Sequence, residues 1–402
     1  MRILMISPYL PWPLYGGGPV RIFNILKELS HRGHRIALLA GRGDKLLEPD
    51  NILNSFCEEI YLYNLPVQSS FSFFLRSFFS PQPYPALRFL SNSLRKNFSH
   101  LLNNRTFDLI WVNFLIMLDT LSLPAIKNIP LVLDQIESDE LLWQEYIRNG
   151  NFFQKVFAYL NLKKVKRIEK KLFKYVDVIL CVSEIENNFT KSRAPQGTEV
   201  WTVPNGVDTK FFNPTRLFSK KETNSILLCS SFGVQRNIDA AIWFTKKIFP
   251  KIQEQIPDAE FWIIGSYPTS EIRQLNLISG VHVTGTVNEI RDYYLKGKVF
   301  VAPYRFGAGT KLKVLEAMAM GLPIVATEVG CQGIDVINGQ HLLIANTETE
   351  FSERVIELLG NPQLAQKLAA AGRALVEQKY NWKKIVGDLE PKLQKLIYAR
   401  QK

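Results

Sequence analysis

The side chains best suited to holding an anion cluster between residues 307 and 316: Gly307, Gly309 and Thr310, then Lys311, Lys313 and Glu316. Two glycines within three residues let a backbone approach a ligand closely. A loop of small residues opening a helix offers free backbone N–H groups and the positive end of the helix dipole, so its natural guest is a phosphate. Lys311 and Lys313 add full positive charges beside that loop. A second constellation is Asp134-Gln135-Ile136-Glu137-Ser138. Asp134 and Glu137 are candidates for a general base. The competing role for either is to cap the helix that follows.

The elements that must position these residues can be read from the same stretches. Val299 to Ala302 is a short apolar run stopped by Pro303, as expected of a strand covered on both faces. Lys311 to Met320 carries Leu312, Leu315 and Ala319 at helical spacing, with Gly321 at the cap position and Pro323 beyond it. Ile324 to Ala326 then reads as a strand. Pro130 to Asp134 is another strand, and it delivers Asp134 and Glu137 to its C-terminal end, the edge where open parallel sheets bind ligands.

At the N-terminus, a strand from Ile3 to Ile6, a helix from Arg21 to Ser30 and a strand from Arg35 to Ala40 make a βαβ unit. Gly16-Gly17-Gly18 lies in the long intervening loop. A dinucleotide dehydrogenase is disfavoured, because its glycines begin directly after the first strand and an acid ends the second. Here about nine residues intervene, and the second strand ends Ala40-Gly41-Arg42. Further strands are expected at Asp108 to Asn113, Val176 to Val182, Ile226 to Cys229, Phe261 to Ile264 and His282 to Gly285, with a helix from Ala240 to Ile256. Polar Ser219 to Asn224 marks a change of composition between two halves.

At 402 residues the chain has room for two domains, and its formal charge of +12 calls for an anionic partner or surface. Cys57, Cys181, Cys229 and Cys331 are too scattered for a disulfide or zinc framework, and reduced thiols are expected. The five histidines show no metal-ligand spacing, and no P-loop occurs. The apolar start ends at Ser7-Pro8, too soon for a secretory signal, and no run reaches membrane-span length, so a cytoplasmic location is expected. Val67 to Phe107 is unusual, with seven phenylalanines before Phe107, five Lys or Arg and no acid. That mixture suits an anionic membrane interface or stacking on single-stranded nucleic acid, and equally an ordinary helical region with its rings in the core. Lys163 to Lys174 reads as a charge-dense helix with a solvated face by default and a face for an anionic surface as the alternative. No nucleic-acid motif accompanies the charge.

Glu316-Ala317-Met318-Ala319-Met320-Gly321-Leu322-Pro323-Ile324-Val325-Ala326-Thr327 resembles the donor-binding core of GT-B glycosyltransferases, in the "glycosyl transferases group one" superfamily of bacterial envelope and exopolysaccharide enzymes. Gly307 to Lys313 fits a subgroup of that superfamily, and Pro204-Asn205-Gly206-Val207-Asp208 matches its interdomain segment. The superfamily's first motif glutamate is replaced by Ala308. The resemblance implies two Rossmann-like α/β domains facing a cleft: 1–204 for the acceptor, 205–380 for the nucleotide-sugar donor, and a helix over 381–402 crossing back. It implies that Glu316 accepts hydrogen bonds from ribose hydroxyls and that Thr284 to Val287 holds the base. It also places Gly17, Gly18, Ser230 and Arg236 near the donor phosphates. Ser230 and Arg236 stand where relatives usually carry glycine and proline.

The activity so implied is transfer of a sugar from a nucleotide sugar to a polysaccharide or lipid-linked acceptor, with retention. No metal or other cofactor is expected, and no Asp-x-Asp occurs. The partners expected are the donor, the acceptor and an anionic membrane at the inner face, without nucleic acid. A sugar-nucleotide 2-epimerase of the same fold and a non-catalytic nucleotide-sugar-binding protein are the alternatives.

Overall fold

The computed structural model describes the chain apart from Tyr15 and Leu90, residues 43–50, 66–69, 122, 124, 125, 127 and 215–223, Ala308 and Lys402. Ala308, most of the polar stretch 219–224 and Tyr15 of the first loop therefore lie outside the described residues. The chain forms two compact units, one of Met1–Pro204 with Ile385–Lys402, the other of Asn205–Lys384.

The first unit is built on seven parallel strands: β1 (Arg2–Ser7), β2 (Arg35–Arg42), β3 (Glu59–Asn64), β4 (Leu109–Asn113), β5 (Leu131–Gln135), β6 (Val178–Cys181) and β7 (Glu199–Thr202), in the order β3-β2-β1-β4-β5-β6-β7. Ile3, Leu4, Met5 and Ile6 are all fully buried, which explains why the strand is continuously apolar rather than alternating. The chain leaves β1 towards β2 on one side and returns as β4 on the other. That reversal opens a crevice at the C-terminal ends of β1 and β4.

The second unit repeats the plan with six strands: β8 (Asn224–Cys229), β9 (Ala259–Ile264), β10 (Val281–Gly285), β11 (Val299–Ala302), β12 (Ile324–Ala326) and β13 (Leu343–Ile344), ordered β10-β9-β8-β11-β12-β13. Ile226 and Leu228 pack into one apolar cluster and Leu227 and Cys229 into another, so each face of the sheet has its own core. Here the strand order reverses between β8 and β11. Both units are thus doubly wound α/β domains, the fold class expected from the sequence.

Several local expectations are corrected. The first helix spans Gly17–His31, starting four residues before Arg21, because Gly16 at φ 95° makes the entry turn. β3 has mixed, half-buried residues and no clear apolar run, and it escaped detection. The helix expected from Ala240 begins at Gln235 and passes through a π-turn at Phe244–Ile248 before Phe249–Gln255, where Pro250 has no N–H to continue the ladder. The basic helix extends to Phe152–Leu172, eleven residues earlier than Lys163. No helix among the described residues is long and apolar enough to cross a membrane.

Candidate functional site

The second unit's strand reversal gathers the phosphate-binding candidates. Ser230 follows β8, its N–H bonded to Ile264 O at 3.0 Å, and Tyr304 Oη donates to Ser230 Oγ at 3.4 Å. Gly265 has φ 148° at the end of β9, and a Cβ there would lie 1.6 Å from Ser230 O. The next helix, Gln235–Trp243, carries Arg236. From the other side β11 leads through Pro303 and Tyr304 to Gly307, at φ 120°. A Cβ on Gly307 would lie 2.6 Å from Arg236 Cδ and 3.5 Å from Lys311 Nζ. The missing side chain is what lets an arginine, a lysine and a bare backbone meet at one place.

Lys311 precedes the helix Leu312–Ala319 and is 9% exposed. Its Nζ donates to Gly307 O at 2.6 Å and Gly309 O at 2.9 Å, and lies 5.6 Å from the Tyr304 ring centroid. The lysine therefore shapes the loop as well as charging it. Thr310 Oγ1 is buried without a hydrogen-bond partner among the described residues. Buried hydroxyls are nearly always satisfied, so this one marks a place for a ligand or water.

Glu316, 8% exposed, lies further along the same helix. It accepts from Lys313 Nζ at 3.0 and 2.8 Å and from Tyr294 Oη at 3.0 Å. Burial alone would lower Lys313, but the Glu316 charge outweighs it and holds the ammonium above its ordinary value. A carboxylate has about four acceptor positions, so these three hydrogen bonds from two donors leave room for a ligand hydroxyl. Thr284 and Val287 lie at the end of β10, two strands from β8. Thr284 Oγ1 donates to Gly285 O at 2.9 Å, and Val287 packs half-buried against the second apolar cluster.

In the first unit, Asp134 is enclosed by its neighbours. It is fully buried, and Arg21 Nε donates to both its oxygens at 3.0 and 2.9 Å. Arg21 Nη1 reaches on to Val203 O at 2.9 Å, so the pair ties β5 to the first helix and to the end of β7. Burial pushes the Asp134 carboxyl up while the Arg21 charge opposes it. Both carboxylate oxygens are therefore engaged by the Arg21 guanidinium. Glu137 is half-buried, and the helix is capped by Ser138, whose Oγ accepts from Leu141 N at 3.4 Å. Gly17 and Gly18 form the first helical turn. A Cβ on Gly18 would strike Tyr9 Oη at 2.1 Å and Phe114 Cζ at 3.3 Å. Phe114, at φ 70° just after β4, and Tyr267, at φ 55° beyond β9, are the non-glycine residues with positive φ among those described. Both stand at a sheet's C-terminal edge, where backbone strain tends to accompany function.

The sequence reading passed over Asp139, Glu140 and Glu169. Burial and the neighbouring Glu137 charge push Asp139 up to about 7, and burial beside Glu140 pushes Glu169 up to about 8. Glu140 itself stays ionised against Arg193, at 2.6 and 2.9 Å, and Lys166, at 3.3 Å. Both raised groups keep protons in the folded chain that the unfolded chain has already released. Their contribution to stability is full below about pH 4 and is lost as pH rises towards 7 and 8, at most about 1.4 kcal/mol per pH unit for each group. Urea unfolding across pH 4 to 9 should show this decline. In Asp139→Asn the decline should be shallower, and the variant should exceed the parent at pH 8. Arg21, Tyr294 and Tyr304 were also missed, since a lone arginine in an apolar helix and two tyrosines carry no motif.

Two family descriptions match the chain: "Glycosyltransferase Family 4" over residues 15–211 and "Glycosyl transferases group 1" over 223–361. An uncharacterized 44.6 kDa protein of the Klebsiella pneumoniae cps region is 22% identical, covering 96% of this chain and 98% of its own. An uncharacterized glycosyltransferase of Methanocaldococcus jannaschii is 24% identical over 96% of each chain. A GDP-mannose-dependent monoacylated phosphatidylinositol monomannoside mannosyltransferase of Corynebacterium glutamicum is 27% identical, over 54% of this chain and 62% of its own. Among solved structures, the sucrose-phosphate synthase of Thermosynechococcus elongatus superposes with TM-score 0.72 at 17% identity, covering 99% and 100% of the two chains. Anabaena HepE in complex with UDP-glucose gives 0.67 at 14% identity, covering 98% and 100%.

Proposed function

The chain belongs to the group 1 glycosyltransferases of GT-B fold, and from that premise we propose that it transfers a sugar from a nucleotide-sugar donor to a saccharide or lipid-linked acceptor of envelope polysaccharide synthesis. The observation that carries the reading is the meeting of Arg236, Gly307 and Lys311 at the β8/β11 reversal. In the reaction, the bond from the anomeric carbon to the diphosphate oxygen breaks and a bond to the acceptor oxygen forms. The diphosphate leaves with added negative charge, which Arg236, Lys311 and the backbone N–H groups at the helix start are placed to offset. We assign Glu316 to the ribose hydroxyls and Thr284 and Val287 to the base. Relatives named for UDP-glucose complexes and GDP-mannose dependence support the donor class.

Because Asp134 is sealed against Arg21, the proton of the acceptor hydroxyl is best taken by the departing phosphate itself, which accords with retention. Glu137 is the remaining protein candidate. The charge on the leaving group is met by protein cations, so transfer should continue in the presence of a chelator. The working place is the inner face of the membrane, where a cytoplasmic donor meets a lipid-carried acceptor. Incubation with UDP- and GDP-sugars, a lipid-linked acceptor and EDTA should yield glycosylated acceptor. Conversion of the donor to its 2-epimer without acceptor, or nucleotide binding with no transfer to any acceptor tried, would overturn the reading.

Glu316→Ala should weaken nucleotide binding about ten- to a hundredfold, the worth of a charge-assisted hydrogen bond. It should also destabilise the unit by about 1–3 kcal/mol, since the buried Tyr294 hydroxyl loses its acceptor. Calorimetric titration with UDP and GDP alongside thermal unfolding measures both. Unchanged affinity would remove Glu316 from the site.

A further inference from the structure

The aromatic residues between 67 and 107 do not share one fate. Phe73 and Phe98 are buried in the first unit, whereas Phe79 is 92% exposed. The exposed rings continue on a second element that the aromatic pattern of that stretch did not include. Phe152 and Phe153, at the start of the helix Phe152–Leu172, are 75% and 81% exposed. Of the nineteen large apolar side chains exposed among the described residues, nine lie on this helix and on the helix Ser70–Phe79. The two helices touch: Phe157 packs on Phe74 and Phe78 with ring centroids 4.9 and 5.6 Å apart, and Lys164 Nζ donates to Ser77 O.

The longer helix divides by chemistry. Phe152 to Leu162 contains Lys155 as its single charge, while Lys163 to Leu172 contains six Lys or Arg and one acid, Glu169. Phe152, Val156, Tyr159 and Lys163 follow a spacing of four, three and four, so they form one outward stripe. It ends with Lys163 Nζ over the Tyr159 ring at 4.5 Å. The shorter helix adds Arg76 and no acid. On the facing helix Asp139–Asn149, Glu145 is half-buried and Arg148 exposed. Exposed rings at one end of a helix and cations at the other match the layering of a membrane surface, with apolar groups below the headgroups and positive charges level with them.

We infer that Ser70–Phe79 and Phe152–Leu172 together form a docking surface for an anionic lipid bilayer. The rings of Phe79, Phe152 and Phe153 enter the headgroup layer, and Lys155, Lys163 and Arg167 meet the lipid phosphates. The surface deepens the proposed function, on whose lipid-carried acceptor its purpose rests. Its physical basis is independent of the donor site. Apolar insertion is insensitive to salt, whereas the cation contribution is screened. The bound population should therefore fall on adding salt without vanishing.

The test is sedimentation of the full chain with vesicles of phosphatidylcholine alone, and with phosphatidylglycerol added, at low and high salt. The parent should pellet with the anionic vesicles, strongly at low salt and in part at high salt. Exchanging Phe79, Phe152 and Phe153 for serine should abolish pelleting at both salts. Each glutamine at Lys155, Lys163 or Arg167 should lower low-salt partitioning about fivefold. Circular dichroism and thermal unfolding report the folding of every variant, and UDP titration without vesicles reports donor binding. A parent that never pellets, or pelleting unaffected by the serine changes, overturns the proposal. So does light scattering that shows a dimer dispersed by those changes, because a second copy would then be the occupant. Lost donor binding with retained pelleting would instead count against the donor reading alone.

Discussion

Replacing Lys311 with alanine should lower the rate of sugar transfer about 100- to 1,000-fold, the usual effect of removing one preorganised group that stabilises developing charge. Two losses coincide there. The ammonium no longer offsets the leaving diphosphate, and the carbonyls of Gly307 and Gly309 lose the donor that holds the loop in shape. Lys311→Arg should not restore activity. A planar guanidinium on a longer stem cannot place donors on both carbonyls from a position that is 9% exposed. Initial rates of transfer, with donor affinity by calorimetry, separate charge stabilisation from binding. A Lys311→Ala enzyme within twofold of the parent would leave Arg236 as the site's cation and remove Lys311 from the chemistry.

The largest effect on stability is expected at Gly265. Its φ of 148° is a glycine conformation, and a new Cβ would lie 1.6 Å from Ser230 O, a backbone atom that no rotamer change can move. Overpacking and backbone strain each cost about 1–3 kcal/mol, so Gly265→Ala should destabilise the second unit by about 2–6 kcal/mol. For a unit of this size that corresponds to a Tm lower by roughly 5–20 °C. Because the clash pushes on the residue that opens the β8 loop, donor affinity should fall in whatever fraction stays folded. Thermal unfolding with UDP titration would show both. A variant of parental Tm would mean that Ser230 and Gly265 are not packed as described.

How much of this was legible beforehand follows from what each residue's neighbours are. The segment from β11 to β12 was readable because apolar runs, two glycines, a helix period and a Gly-x-Pro stop all lie within thirty residues and point the same way. Arg236 and Lys311 were both found, but 75 positions apart nothing local shows that they meet. The order of β8 and β11 does that. Asp134 stood correctly at the end of β5, yet its burial depended on Arg21, 113 residues earlier, and a pair so distant leaves no periodic trace. Asp139 likewise looks like an ordinary acid in a helix's first turn until packing raises it to about 7. The rings between 67 and 107 were recognised as unusual, but composition cannot tell an exposed Phe79 from a buried Phe98. Phe152 and Phe153 went unnoticed because the helix was read from its lysines.

The most direct measurement is a crystal structure of the protein with a bound nucleotide sugar. The diphosphate oxygens should lie within about 3 Å of Arg236, Lys311 or the backbone N–H groups of the 307–311 loop, with the ribose hydroxyls on Glu316. A nucleotide found with its phosphates away from the β8/β11 reversal, or its ribose away from Glu316, would contradict the assignment of the donor site.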